Sequence, residues 1–330
     1  MNSTAAVSHP HASATGSSSW LRPIVALALV VLTCVLSSKL TAHHVEENPF
    51  VALYSHLVPA PLVTGGGHDA GAASHYLFSV DAPFAPAFFD ADQGRAGTQL
   101  VATNLQLFQL LAVVLIFVCF SGVPGYLRTG RGDYFSRLFG GFALWIRDEM
   151  VYPTMGREMG RKMLPYFLSI FFFVLFMNVL GLVPGAATAT ASIFVTAGLA
   201  ITTFVMMVVG GMVVQGPIAF WKHLVPHVPA PLLVLMIPLE LIGLVVKPFA
   251  LTVRLFANMT GGHMVVLSFM GLLFFVAKGA GDLAAYATSP LVVGFAVFIM
   301  IIESFVALLQ AYVFTMLSIM FIQASFHPDH

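Results

Sequence analysis

Two apolar stretches near the C-terminus, residues 232–277 and 290–324, are longer than the medium they imply is thick. As continuous helices they would measure about 69 and 52 Å at 1.5 Å per residue, against a hydrocarbon core of about 30 Å. Each must therefore lie strongly tilted or break. Pro238 and Pro248 could kink the first and Gly261-Gly262 could loosen it, yet no polar cluster supplies a turn in mid-segment. The turn-rich residues 278–289, with Gly279, Gly281 and Asp282, join the two stretches into a hairpin over 232–324.

The rest of the chain agrees with a membrane setting. Of its 330 residues 58% are hydrophobic and only 8% charged, where soluble domains carry about 25% charged residues. The expected class is an all-α polytopic membrane protein in contact with the lipid bilayer. Formal net charge is zero, which gives a nucleic-acid partner no electrostatic support. Cys34 and Cys119 both sit in apolar runs, so no disulfide framework is indicated.

The first 45 residues contain no Asp or Glu and are rich in Ser and Thr. That composition fits an organelle transit segment. The apolar run 24–36 fits equally the core of a signal peptide or part of an extra N-terminal helix. Residues 46–97, rich in Gly, Pro, Ala and His, read as an outer-side loop region, and 98–330 as the membrane domain. Within that domain the expected spans are 98–120, 165–182, 192–214 and the two long stretches, five in all. Residues 221–231 read as a short inner connection.

Seven of the fourteen Lys and Arg residues fall between 128 and 162. Between them Phe135, Leu138, Phe139, Phe142, Trp145 and Ile146 recur at spacings of three and four, the pattern of an amphipathic helix lying at headgroup level. The basic excess marks the inner side of the membrane.

Between residues 231 and 277 the only ionisable side chains are Glu240, Lys247, Arg254 and His263. A guanidinium keeps its proton under protein conditions, and at bilayer depth it costs roughly 2.5–3.5 kcal/mol on insertion scales. In an antiparallel hairpin, residues at one depth share a constant sum of numbers. Arg254 with Gln310 and His263 with Glu303 give nearly the same sum, centred inside the proposed connection. Arg254 and Asn258 share one helical face with Lys247 and Leu251, whereas His263 is half a turn out of phase. Titratable groups thus stand outward of the arginine (His263, Glu303) and inward of it (Glu240). Histidine and carboxylate pass protons; arginine does not, so it interrupts a direct proton wire. The blander alternatives stay open at this point: Arg254 neutralising a buried carboxylate of its own chain, Glu303 foremost; His263 as a hydrogen-bonded packing residue; Gln310 as interhelical glue; Glu240 solvated at the interface.

The run from Pro248 through Arg254, Asn258 and Gly262 to His263 resembles the signature of subunit a of the F-type ATP synthase. Pro238-Leu-Glu240-Leu-Ile-Gly243 resembles that family's inner approach to the same helix. Asn178 to Pro184-Gly185 resembles its span-ending motif, and Glu303 and Gln310 match its last helix. The likeness covers residues 98–325. A histidine nine residues after the arginine resembles the mitochondrial branch more than the enterobacterial one, which implies the mitochondrial inner membrane, with a bacterial plasma membrane as the alternative. The resemblance implies a proton-translocating stator subunit whose tilted hairpin curves around a rotating c-ring. Protons would enter near His263 and Glu303, load a ring carboxylate, and leave near Glu240. Arg254 would separate the two half-channels, with Asn258 and Gln310 supporting it. The implied partners are the c-ring, the peripheral stalk and other membrane subunits; the implied cofactors and metals are none.

A self-contained proton-coupled secondary transporter is the main alternative, but internal repeats and paired broken helices are not evident in the sequence. A purely structural subunit leaves Arg254, His263 and Glu303 in the membrane without a task. A membrane enzyme has no H-E-x-x-H or G-x-S-x-G motif to support it, and no phosphate-binding G-x-x-x-x-G-K-[ST] loop is present.

Overall fold

The computed structural model of the chain describes residues 21–41, 62–64, 75–76, 79–81, 99–101, 103–183, 186–223 and 230–326. Most of 46–97, the first twenty residues, and His9, His11, His43, His44, His56 and His68 lie outside the described residues, as do the readings made of them. Two short antiparallel pairs are seen before the membrane domain: Val63–Thr64 (β1) with His75–Tyr76 (β2), and Ser79–Asp81 (β3) with Gln99–Val101 (β4). Apart from an isolated bridge between Thr41 and Leu62, the other regular elements among the described residues are helical.

Helix α1, Leu21–Leu40, extends the apolar run 24–36 to 20 residues. Pro23 stands in its first turn, where a missing N–H is harmless. Ala26, Leu29 and Val30 of α1 pack against Leu105, Phe108 and Leu111 of α2, Asn104–Phe120. The α2 start is closed by the Thr103 N–H donating to Gln106 Oε1 at 2.8 Å. Helix α3, Val123–Thr129, ends at Gly130, whose φ of 67° is the left-handed cap that glycine adopts without strain. Then comes α4, Tyr134–Trp145, the amphipathic segment, followed by a π-helical turn at Ile146–Val151. In the first turn of α1, Arg22 donates to Ser136 Oγ of α4 at 2.7 Å and lies 3.7 Å from Asp133.

Helix α5, Tyr152–Gly181, is interrupted by a kink at Gly156 (φ 73°), and its longer part still begins well before the expected 165. Pro165 fails to stop it because the carbonyl it leaves free belongs to Arg161, an exposed residue that solvent can satisfy. A 3-10 turn, Ala189–Ala191, leads into α6, Ile193–Gln215, and Gly216 turns the chain into α7, Pro217–His223. Part of the expected inner connection is therefore helical.

Helix α8, Ala230–Ala280, and helix α9, Asp282–Phe326, are 51 and 45 residues long and each is a single unbroken element. At 1.5 Å per residue they reach about 77 and 68 Å, so tilt, and not breakage, resolves the mismatch with the bilayer. The connection expected over 278–289 shrinks to one residue. Gly281 takes φ 87°, a conformation a side chain would strain. Asp282 then opens α9, where a carboxylate favours the first turn. Among the described residues, six helices are long and apolar enough to cross a membrane; the sixth beyond the five expected spans is α1.

Helices α5 and α6 back the hairpin through a core that includes Phe167, Phe171, Met207, Leu251, Leu255, Met259, Phe314 and Ile319. Interhelical polar ties hold the register where apolar packing alone is indifferent to sliding. The fully buried Asn178 of α5 donates Nδ2 to the Ala307 carbonyl at 3.3 Å. Thr203 Oγ1 and Ser318 Oγ meet at 3.1 Å, and Gln215 Nε2 donates to the Ser325 carbonyl at 2.6 Å.

Candidate functional site

The hairpin brings both depth-matched pairs into contact. Gln310, buried on α9, donates Nε2 to the Arg254 backbone carbonyl at 3.0 Å. Further outward, His263 Nε2 lies 3.7 Å from Glu303 Oε1. Both contacts follow from a single-residue turn near the midpoint of the two sums.

The arginine itself faces away from its own chain. Its side chain is exposed and makes no hydrogen bond or ion pair with a described residue. Glu303 pairs with the histidine side and not with Arg254, so the reading of Arg254 as a neutraliser of Glu303 fails on geometry. Asn258 is exposed beside it, and so are Ala250, Ala257 and Gly261 along the same stripe of α8. The expected face is corrected at its inner edge. Leu251 is only 1% exposed and belongs to the core with Leu255 and Met259. Lys247 is half-buried, its Nζ 5.9 Å from the Phe321 ring centre. Backing by α5 and α6 covers the stripe at 251, 255 and 259, one residue beyond the exposed 250, 254 and 258.

Behind that stripe lies an enclosed acid. Glu303 is 5% exposed, and its Oε1 accepts no hydrogen bond among the described residues. A separation of 3.7 Å from the imidazole is too long for a hydrogen bond. Gly262 explains how the carboxyl fits: a Cβ there would sit 2.5 Å from Glu303 Oε1 and 2.7 Å from its Cδ. The glycine holds space for the acid.

Thr188 completes the group, and sequence reasoning missed it. Its Oγ1 lies 2.9 Å from His263 Nε2 and also donates to the Gly181 carbonyl at 3.3 Å. The loop carrying it, Ala186-Ala-Thr188-Ala-Thr190-Ala, folds back over the hairpin, and Thr260 Oγ1 ties it by donating to the Ala191 carbonyl at 3.4 Å. Gly181 permits this approach, since a Cβ would meet Thr188 Cγ2 at 2.8 Å. The available signal was the alternation of Ala and Thr directly after the span-ending Pro184-Gly185.

Glu240 stays apart from the others. It lies fourteen residues before Arg254, about 21 Å toward the N-terminal end of α8. It is half-buried and has no hydrogen bond or ion pair to a described residue. Among the described residues no group of three His, Cys, Asp or Glu side chains converges as a metal site would require.

A model of the family described as ATP synthase A chain matches residues 106–323. The chain belongs to the ATP synthase A chain family. The matched region contains Glu240, Arg254, Asn258, His263, Glu303 and Gln310. ATP synthase subunit a of Myxococcus xanthus is 46% identical over 192 residues, 57% of this chain and 61% of that protein. The subunit a of Chloroherpeton thalassium is 47% identical over 187 residues, covering 56% and 54% respectively. ATP synthase subunit a 2 of Chlorobaculum tepidum is 38% identical over 239 residues, covering 71% and 66%. These matches span less than two thirds of each relative's own length.

Proposed function

We propose that this member of the ATP synthase A chain family is the proton-translocating stator subunit of an ATP synthase, not itself a catalyst, working against a carboxylate carried by a rotating c-ring. The observation that carries this reading is the exposed, unpaired guanidinium of Arg254 on a tilted hairpin, within a stripe of small residues. Ala250, Ala257 and Gly261 let a neighbouring helix approach closely. A permanent cation inside a membrane calls for an anion, and the described residues of its own chain offer none at that face.

On this reading Arg254 holds the ring acid ionised as it passes, since an adjacent cation lowers a carboxyl's affinity for protons. Gln310 fixes the α8 backbone at that level, and Asn258 extends the polar surface beside the guanidinium. His263, Thr188 and Glu303 form the outer relay. The 3.7 Å gap between imidazole and carboxyl is bridged by one water or a rotamer change as a proton passes. Glu240 serves the inner side. Arg254 stands between the two routes, so a proton crosses only by riding the ring.

The named relatives are bacterial. They favour a bacterial plasma membrane over the mitochondrial inner membrane, and the histidine at 263 does not by itself mark the mitochondrial branch. Nothing favours a self-contained transporter: the unpaired cation requires a second subunit to complete the path.

Native purification of the chain from its own membranes, followed by mass spectrometry and reconstitution, tests the reading. Co-purification of a small ring-forming subunit bearing a membrane carboxylate, with ATP-driven acidification of the vesicles, is expected. Proton transport by the isolated chain alone would overturn it in favour of the transporter.

A further inference from the structure

Between the amphipathic helix α4 and the last helix α9 lies a cavity of about 730 Å³ that the proton path does not use. Its wall is apolar, formed among others by Phe142 and Trp145 of α4 and by Leu308 and Tyr312 of α9, and Arg137 stands at its edge. Trp145 and Tyr312 meet with ring centres 5.9 Å apart. The Arg137 side chain is exposed and makes no hydrogen bond or ion pair with a described residue.

A second observation concerns Gly141, which also lines the cavity. Glycine inside a helix is unfavourable by roughly 1 kcal/mol relative to alanine, so a helical glycine usually has a packing reason. Its neighbour Gly140 has one: a Cβ there would press on the Tyr126 ring at 2.9 Å. At Gly141 a Cβ meets nothing within 4 Å. The missing side chain relieves no contact within this chain; it enlarges the cavity.

We propose that this cavity holds an acyl chain of an anionic phospholipid of the inner leaflet, with Arg137 on the lipid phosphate. The setting agrees, because α4 lies in the basic segment 128–162 that marks the inner headgroup level. The size agrees as well. The volume falls within the roughly 300–1,000 Å³ of small-molecule pockets.

The test uses the assembled complex in vesicles of phosphatidylcholine containing a trace of photoactivatable phospholipid. The probe carries its reactive group on the acyl chain and bears either a phosphatidylglycerol or a phosphatidylcholine head. Labelling of the peptides containing Phe142 or Leu308 should favour the glycerol head by about fivefold, the preference one basic residue gives near a membrane surface. Gly141→Leu should fill the cavity and abolish labelling by both probes, and Arg137→Gln should erase the headgroup preference while keeping labelling. Equal labelling by both heads in the unaltered protein would overturn the proposal, as would labelling indifferent to Gly141→Leu. Cross-linking of Leu308 to a neighbouring subunit in place of lipid would overturn it too. Should Gly141→Leu not assemble, the Arg137→Gln comparison still decides.

Discussion

Arg254→Ala is expected to abolish both ATP synthesis and ATP-driven proton pumping while leaving the complex assembled. The magnitudes show why. Two opposite unit charges about 4 Å apart attract by about 4 kcal/mol at an effective dielectric of 20, which favours the ionised ring acid about a thousandfold. One proton crossing 100 mV delivers only about 2.3 kcal/mol. The field alone therefore cannot pull an ionised acid out of that well, and reprotonation from one side must release it. Alanine removes the well and the barrier together. Coupled transport should fall below detection, measured as fluorescence quenching of a pH dye in inverted vesicles, with subunit stoichiometry by mass spectrometry as the assembly control. Stability should change little, because the Arg254 side chain makes no hydrogen bond or ion pair within its described surroundings. Full synthesis by this variant would remove the half-channel reading.

Glu303→Gln should slow proton transport by about tenfold or more, toward the ~10²–10⁴-fold range that a positioned acid–base group contributes. Glutamine keeps the volume that Gly262 makes room for, so assembly should persist. Gly262→Val offers a companion test that leaves the acid in place. A Cβ at 262 already meets Glu303 Oε1 at 2.5 Å, so the larger side chain must push the carboxyl from His263 and slow transport likewise. Transport rates in passive and ATP-driven modes, compared at equal amounts of assembled complex, measure both. Normal rates for Glu303→Gln would reduce the residue to a packing role.

The hairpin contacts were legible in the sequence because a helical hairpin obeys simple arithmetic. Once Gly281 turns the chain, Gln310 must meet the level of Arg254 and Glu303 that of His263. The exact width of the turn was not legible. Gly279, Gly281 and Asp282 all carry turn character, and only the backbone shows that Gly281 alone is non-helical. The exposed edge of α8 was legible to within about one residue, and Leu251 fell on the wrong side of it because α5 and α6 are distant in sequence. Thr188 was out of reach for the same reason. Its contact with His263 spans 75 positions and depends on Gly181, whose value, like that of Gly262 beside Glu303, lies in the side chain it omits. In the N-terminal part, the run 24–36 was too short by itself to choose among three readings. The structure extends it to a 20-residue helix that packs Ala26, Leu29 and Val30 on α2 and sets Arg22 on Ser136.

The most direct test of the central claim is disulfide formation in the assembled complex between Asn258→Cys and a cysteine placed one helical turn from the membrane carboxylate of the proposed ring subunit. A cross-linked a–c product that forms readily, and that blocks ATP-driven proton pumping until reduced, is the predicted result. Absence of that product, with efficient cross-linking of the same cysteine to a lipid-facing probe instead, would place Arg254 against lipid and contradict the account.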